Sequence, residues 1–265
     1  MKTIALILAY DGTNYAGWQR QSGQKTIQGT LEDALSKMNN APTEIRGASR
    51  TDAGVHAEWQ IAAFDTHRDY EPDRFKIALN ALTPPDITIR HACDAPDGFQ
   101  PRFESRGKHY RYWLWQGHYL PPMLIHRAAA VRKLDVENMR NAAQYLIGEH
   151  DFSSFRALDC QAKSPVRTLT RIDISTVSGP YDYTCADGNA LIQIDVEGTA
   201  FLKQMVRIIV GTLIDFGLGM PAHKMRTILE SRCRANAGQT APAAGLTLVR
   251  SFSSLDDWIN PSLLL

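Results

Sequence analysis

Apolar positions in this chain switch repeatedly between the spacing of a strand and that of a helix. Thr3 to Tyr10 is a short apolar, partly β-branched run, as expected of a buried strand. A Gly-rich polar loop, DGTNYAGWQRQ, follows it. Thr26 can then cap a helix whose stripe is Ile27, Leu31, Ala34, Leu35 and Met38. Strands are predicted near Glu44 to Gly47 and over Gln60 to Asp65, on either side of ASRTDAGVHAE. Pro72 suits the start of a helix with Phe75, Ala78, Leu79 and Leu82 on one face, and Pro84 and Pro85 end it. Ile87 to His91 reads as another strand.

The second half repeats the mixture. Lys108 to Gln116 alternates, with Tyr110, Tyr112 and Leu114 on one face and His109, Arg111, Trp113 and Trp115 on the other. Asp135 can cap a helix carrying Met139, Ala142, Ala143 and Leu146, stopped by Gly148. Arg167 to Val177 and Ala190 to Val196 are strand patterns, with Asp187-Gly188 marking a turn between them. Phe201 to Phe216 predicts a helix with Met205, Ile208, Ile209, Thr212 and Leu213 on its buried face. Pro221 opens a further helix with Met225, Ile228 and Leu229, and Leu246 to Phe252 is a last strand. Hairpin-type pairs mixed with helices in both halves indicate an α+β fold with largely antiparallel sheets. The polar, turn-rich FQPRFESRGK segment is the best boundary, dividing the chain into residues 1–104 and 105–265.

Composition narrows the function classes. The chain has 265 residues, 44% hydrophobic and 22% charged, which are ordinary globular values. No apolar run is long enough to span a bilayer. The opening MKTIALILAYDG lacks a small-residue cleavage site and reads as a first strand, not a signal peptide. Cys93, Cys160, Cys185 and Cys233 form no C-x-x-C pair, as expected of free thiols in a reducing, cytoplasmic setting. No histidine pattern suggests a metal, and no Gly-rich phosphate loop suggests a nucleotide cofactor. The net charge is +1, so an RNA site would need basic residues segregated on one surface.

Three stretches carry candidate chemistry. In S-R-T-D-A-G-V-H-A, Arg50 and Asp52 lie two apart, and in extended backbone such residues face the same way. A nearby arginine favours the ionised acid, which suits a nucleophile or base; the same letters also describe a turn or helix cap. In K-H-Y-R-Y-W-L-W, aromatic and basic residues interleave, a pattern that fits base stacking as well as an amphipathic core strand. Lys203 and Arg207 are four apart and would share a helix face. Arg207 is either solvated there or reaches a buried anion such as Asp52. Basic residues also gather in FQPRFESRGKHYR and CQAKSPVRTLTR, where Lys163, Arg167 and Arg171 recur every four residues. These are solvated loops or a phosphate track.

Taken in order, YDGTNYAGWQRQ, TIQGTLEDAL, SRTDAGVHA, NALTPPDI, FQPRFESRGKHYRY, GEHDFSSFRA, FLKQMVRIIVGTLIDFG and AGQTAPAAGLTLV resemble the blocks of the tRNA pseudouridine synthase A (TruA) family along almost the whole chain. The resemblance implies a pseudouridine-synthase-type fold, with two α/β subdomains flanking a central cleft, and a symmetric homodimer acting on tRNA. It implies no metal and no organic cofactor. The implied reaction converts uridine to pseudouridine in the anticodon stem-loop, at tRNA positions 38, 39 and 40. Asp52 would be catalytic, Tyr110 would stack on uracil, Arg207 would pair with the acid and Leu246 would form an apolar wall. Arg50 would help extrude the base. RNA contacts would fall on Phe99, Gln100, Pro101, Arg102, Phe103 and Lys108, and on Cys160, Gln161, Ala162, Lys163, Ser164 and Arg167. The chain departs from the family at Ser49, where Gly is commoner, at Thr247, where an aromatic is common, and at Gln204, where His is frequent. Two other classes fit parts of the pattern. A non-catalytic RNA-binding module would leave Asp52 without a task, and a carboxylate hydrolase would need a second flanking carboxyl group.

Overall fold

The computed structural model describes residues 1–177 and 189–257. The Asp187-Gly188 turn and Cys185 lie outside the described residues. The chain forms two compact units. The first is Met1–Lys108 with the returning segment from Thr247, and the second is His109–Leu246. The 104/105 division is therefore corrected at the C-terminal end, because the last strand joins the first unit by pairing with a strand more than 180 positions earlier in sequence. Local pattern carries no information about so distant a partner.

In the first unit the strand order is β4-β1-β3-β10. Here β1 is Lys2–Tyr10, β3 His56–Thr66, β4 Ile87–Ala95 and β10 Leu246–Ser253. β1 is antiparallel to both β3 and β4. The short β2 (Ile45–Gly47) is antiparallel to the far end of β3. β10 is parallel to β3 and pairs Thr247 with His56 and Leu248 with Ala57. β1 sits between two strands and is buried on both faces, which explains its continuous apolar run. Ala5 and Ile7 point into one cluster with Ile61, Ala63, Trp59, Ala48, Phe99 and Leu255.

Helices α1 (Ile27–Asn39) and α2 (Pro72–Leu82) pack together, and α2 also packs against β4. Thr26 caps α1 as expected, its hydroxyl accepting from the Gly29 amide at 3.2 Å. The face predicted for α2 is narrower than expected. Phe75 and Leu79 are buried, but Leu82 is 46% exposed at the end of the helix. β3 starts at His56, inside the R-T-D-A-G-V-H segment and earlier than the alternation indicated. His56 pairs with Thr247 of β10, and Ala57 with both Leu248 of β10 and Tyr10 of β1, tertiary effects that local propensity does not register.

In the second unit the order is β5-β9-β8-β7, with β6 parallel to the end of β5. These strands are β5 (Ser105–Gln116), β6 (Ala129–Val131), β7 (Gly148–Asp151), β8 (Val166–Val177) and β9 (Ala190–Gly198). The alternation in β5 buries Tyr110, Tyr112 and Leu114, as expected. Trp115, assigned to the polar face, is also buried. It packs with Leu124, Ala128 and Leu191 and donates its indole N–H to the Tyr119 carbonyl at 2.7 Å. The three-residue strand β6 and the four-residue β7 were too short to produce a readable period.

The helices are α3 (Val136–Ala143), α4 (Met205–Gly217) and α5 (Lys224–Ser231). Asp135 caps α3 by accepting from the Asn138 amide at 3.0 Å. α4 begins at Met205, four residues later than expected, because Gln204 is left-handed with φ 59° and interrupts the helical run. Lys203 consequently does not share a helix face with Arg207 and pairs instead with Asp159. The Asn138 side-chain amide donates to the carbonyls of Phe216 (2.6 Å) and Met220 (2.8 Å), closing the end of α4 against α3.

One buried charge stands out in this sheet. Asp195 on β9 is 3% exposed. It accepts from Arg111 Nε at 2.9 Å and from the Gln193 amide, and its carboxylate lies 2.6 Å from His109 Nε2. Burial pushes this acid up, but the bonds from His109, Gln193 and Arg111 outweigh it and hold the group at about 2. An acid depressed in the folded state contributes stability that is present above its unfolded value, 3.8, and lost as pH falls through 2. The second unit should therefore lose about 2 kcal/mol of unfolding free energy from this group between pH 5 and pH 2. Urea unfolding across that range checks it: Asp195→Asn should be less stable at pH 5 and show a flatter acid limb than wild type.

Candidate active site

The R-T-D-A-G-V-H segment leaves Ala48 and enters β3 through a tight turn in which the Val55 amide donates to the Asp52 carbonyl at 3.1 Å. Gly54 within it has φ 77°, a conformation that costs glycine little and other residues more. Arg50 is exposed, Asp52 is half-buried and Thr51 is buried. Upstream, the departure at Ser49 is accommodated in the core. Its amide and carbonyl both bond the Gln60 side chain, at 3.2 and 2.7 Å, and its hydroxyl lies 3.4 Å from that of Ser251.

The Gly-rich loop after β1 is laced across this turn. Tyr10 Oη and Thr51 Oγ1 are 2.9 Å apart, and the Trp18 amide donates to the Thr51 carbonyl at 3.0 Å. Beyond Asp52, the Gly54 amide donates to the Tyr15 carbonyl at 3.2 Å, and the Gly12 amide donates to His56 Nδ1 at 3.1 Å. Two glycines make the approach possible. A Cβ on Gly12 would lie 2.0 Å from the Val55 carbonyl oxygen, and one on Gly17, whose φ is 93°, would lie 2.5 Å from that of Thr51. The loop itself is fixed from outside. Tyr15 donates to Asp86 at 2.5 Å, and burial together with that carboxylate raises the phenol well above its ordinary value. Lys25 sits over the Tyr15 ring at 4.4 Å. YDGTNYAGWQ, RTDAGVH and the Asp86 of NALTPPDI are thus one structure around Asp52.

In the second unit, Tyr110 and Tyr112 occupy the inner face of β5. The Tyr110 ring meets Phe201 edge-on, with centroids 5.1 Å apart. Tyr112 donates to the Pro242 carbonyl at 2.6 Å, and burial raises its phenol strongly, opposed by the charge of Arg207. Arg207, on the first turn of α4, is tied twice to one residue. Its Nε donates to the Ala241 carbonyl at 2.8 Å, and its own carbonyl accepts from the Ala241 amide at 3.1 Å. The AGQTAPAAG segment lies tight along α4, since a Cβ on Gly211 would fall 1.7 Å from the Gln239 oxygen. Arg234 clamps the same segment through the carbonyls of Ala237 (3.2 Å) and Gly238 (2.9 Å). It ends at Leu246, which is buried. Thr247 is buried as well, at 8% exposure in register with His56. No functional part was read for His56, Tyr112, Arg234 or Ala241 from sequence. His56, Tyr112 and Ala241 fall inside the R-T-D-A-G-V-H, FQPRFESRGKHYRY and AGQTAPAAGLTLV blocks, whereas Arg234 carried no local signal.

The residues expected to contact RNA separate by exposure. Phe99 belongs to the core and Pro101 is buried, whereas Gln100, Arg102 and Phe103 are exposed, Phe103 at 81%. The half-buried Lys108 donates to the Ser105 hydroxyl at 3.1 Å. In the other loop, Gln161, Lys163 and Ser164 are exposed, and Cys160 and Ala162 are half-buried. Arg167 turns back on this loop, its Nη1 donating to the Ser164 carbonyl at 3.0 Å. Arg171 pairs with Asp173 and Glu197, each at 3.1 Å. Of Lys163, Arg167 and Arg171, the last two thus also carry hydrogen bonds or ion pairs within the chain. Among the described residues no group of three His, Cys, Asp or Glu side chains is arranged to hold a metal ion, and no helix is long and apolar enough to cross a membrane.

Residues 6–104 and 142–252 match the family described as tRNA pseudouridine synthase. A tRNA pseudouridine synthase A of Acetivibrio thermocellus is 41% identical over 254 residues, covering 95% of this chain and all of the relative. Its counterpart in Geobacter sulfurreducens is 44% identical over 253 residues, covering 94% of this chain and 98% of the relative. That in Geotalea uraniireducens is 43% identical and covers 95% of this chain and all of the relative. With both units represented in the match and the laced turn intact, the chain belongs to the tRNA pseudouridine synthase family.

Proposed function

We propose that this protein isomerises uridine to pseudouridine in the anticodon stem-loop of tRNA, with the Asp52 carboxylate as the catalytic group. One observation carries the reading: a separate sequence block, residues 10–18, bonds the turn that bears Asp52 both before and after the acid. A turn serving only as a connection would not need glycines pressed to within a Cβ of its backbone on either side. The reaction breaks the bond from ribose C1′ to uracil N1 and joins C1′ to C5. N1 gains a proton and C5 loses one, so the process is redox-neutral and calls for no cofactor. The target base must first leave its stack, at a cost of a few kcal/mol. Arg50, exposed two residues before Asp52, is suited to hold the flipped strand by a phosphate.

An ionised carboxylate serves either of two routes, attack on C1′ or removal of the C2′ proton. Tyr110 is assigned the face of the uracil ring, which keeps the freed base from escaping. Phe201 supports this by fixing the Tyr110 ring edge-on. Arg207 is assigned the charge of the catalytic acid, and the bond from its Nε to the Ala241 carbonyl preorganises the guanidinium. Leu246 is assigned the apolar wall. The RNA backbone is assigned to the exposed residues Arg102, Arg106 and Lys163 and to Lys108, with Phe103 offering a ring for stacking. A symmetric homodimer would double this basic surface, which matters for a chain whose net charge is only +1.

Asp52→Asn keeps the shape and removes the charge. Single-turnover assay on tRNA should show no pseudouridine, while affinity stays within about tenfold of wild type. Appreciable turnover by that variant would refute the assignment. For Tyr110, the Phe variant keeps the ring and the Leu variant does not. The Leu variant should lose activity, and equal activity in Tyr110→Leu and wild type excludes stacking. Binding should weaken steeply with salt, and Lys163→Ala should lower the salt slope by about one contact while sparing chemistry at saturating RNA. A titration series in potassium chloride reads both, and an unchanged slope would make Lys163 a solvated surface residue.

A further inference from the structure

The proposed chemistry uses Asp52 and leaves unexplained a fully buried histidine four residues later. His56 is 1% exposed and opens β3 at the position where Thr247 of β10 pairs with it. Its Nδ1 lies 3.1 Å from two groups, the Gly12 amide nitrogen and Asp11 Oδ1. These make opposite demands, since the amide can only donate and the carboxylate can only accept. Two facts decide between them. The Gly12 N–H is aimed at Nδ1 with hydrogen-bond geometry, and a backbone amide has no other protonation state. The Asp11 oxygen already receives two bonds from Thr13, from its amide at 3.0 Å and its hydroxyl at 2.5 Å. Nδ1 is therefore the acceptor, and its lone pair faces the Gly12 amide.

We infer that His56 is a positioning residue for Asp52: its Nδ1, as an acceptor, holds the Gly12 amide and through it the register of the loop that braces the Asp52 turn. The hydrogen bonds described between the two segments flank Asp52. Two fall on Thr51, immediately before Asp52, and two fall after it, on Gly54 and His56. The His56 tie is the only one of the latter pair made by a side chain, and so the only one that substitution can remove directly. Gly12 has no room to shift toward the turn, because its α-carbon already abuts the Val55 carbonyl. Losing the acceptor would leave a buried amide without its partner and let the loop lift away. The Asp52 side chain would then sample positions beside the productive one, and small misplacement is enough to slow a reaction that depends on orientation. The effect should fall on the chemical step and not on RNA binding, because His56 is inaccessible to a macromolecule.

This inference rests on Asp52 being the catalytic acid, and the experiment separates the two. Asparagine places its amide oxygen the same number of bonds from the backbone as Nδ1, whereas glutamine places it one bond further. Single-turnover rates at saturating tRNA, tRNA affinity and melting temperature should be measured for His56→Asn, His56→Gln and His56→Leu, with Asp52→Asn alongside. We expect His56→Gln and His56→Leu to be slowed about tenfold or more in the single-turnover rate with affinity within about twofold, and His56→Asn to recover most of that loss. Equal rates in the Asn and Gln variants that keep the wild-type melting temperature would overturn the positioning role. Loss of folding in all three, or loss confined to affinity, would overturn it too, placing His56 in stability or in binding. Activity in Asp52→Asn would instead remove the reading beneath it, whatever the His56 variants did.

Discussion

The close approach of two backbone segments around Asp52 is the constraint on which the candidate active site depends. A Cβ on Gly12 or Gly17 would meet a carbonyl oxygen of the opposite segment at 2.5 Å or less. Contact this close excludes water from the interface and makes every hydrogen bond across it costly to lose, because the unpaired group would stay buried. The consequence is a turn whose backbone has little freedom, carrying one half-buried carboxylate. Tyr15 extends the same constraint outward, since its bond to Asp86 ties the loop to the start of β4. Residues 10–18, 51–56 and 86 act together although they are scattered over the first third of the sequence.

A comparable device operates in the second unit. The strap from Ala237 to Gly245 is held against α4 at Gly211, by Thr212, by Arg234 and by the reciprocal bonds between Arg207 and Ala241. Tyr112 closes it from the sheet side through Pro242. Arg207 is thus held by backbone at its Nε while its terminal nitrogens stay oriented, an arrangement a lysine could not reproduce because its charge sits on a flexible stem. The buried Asp195 on β9 acts similarly on the neighbouring strand β5. By bonding His109 and Arg111 it fixes the two residues that flank Tyr110 along β5. In both units, these hydrogen bonds between buried polar groups add rigidity to a close-packed core.

The near-neutral charge also takes on meaning in this light. Many arginines here serve the fold: Arg46 on Asp65, Arg111 on Asp195, Arg167 on its own loop and Arg171 on Asp173 and Glu197. Counting basic residues therefore overstates the cations left to meet a polyanion. Others, such as Arg50, Arg102 and Lys163, are exposed and sit on loops. Attraction to RNA would be local, with little long-range steering from the molecule as a whole.

The amino-acid sequence alone determined most elements, the α+β class and the family, because strand and helix periods, the Thr26 and Asp135 caps and the ordered motif blocks are local properties of the chain. The assignments proposed for Asp52, Tyr110 and Arg207 come only through those blocks, since R-T-D-A-G by itself describes any turn. Tertiary structure decided the rest. Gln204 turned left-handed and moved the start of α4, Trp115 was buried by Leu124 and Leu191, and β10 returned to lengthen β3 back to His56. It also decided which glycines matter and which cations are already spent. Each of these depends on a neighbour far away in sequence. A hydrogen-bond partner, a register or a steric limit of that kind exists only once the chain has packed, so no local pattern of residues encodes it.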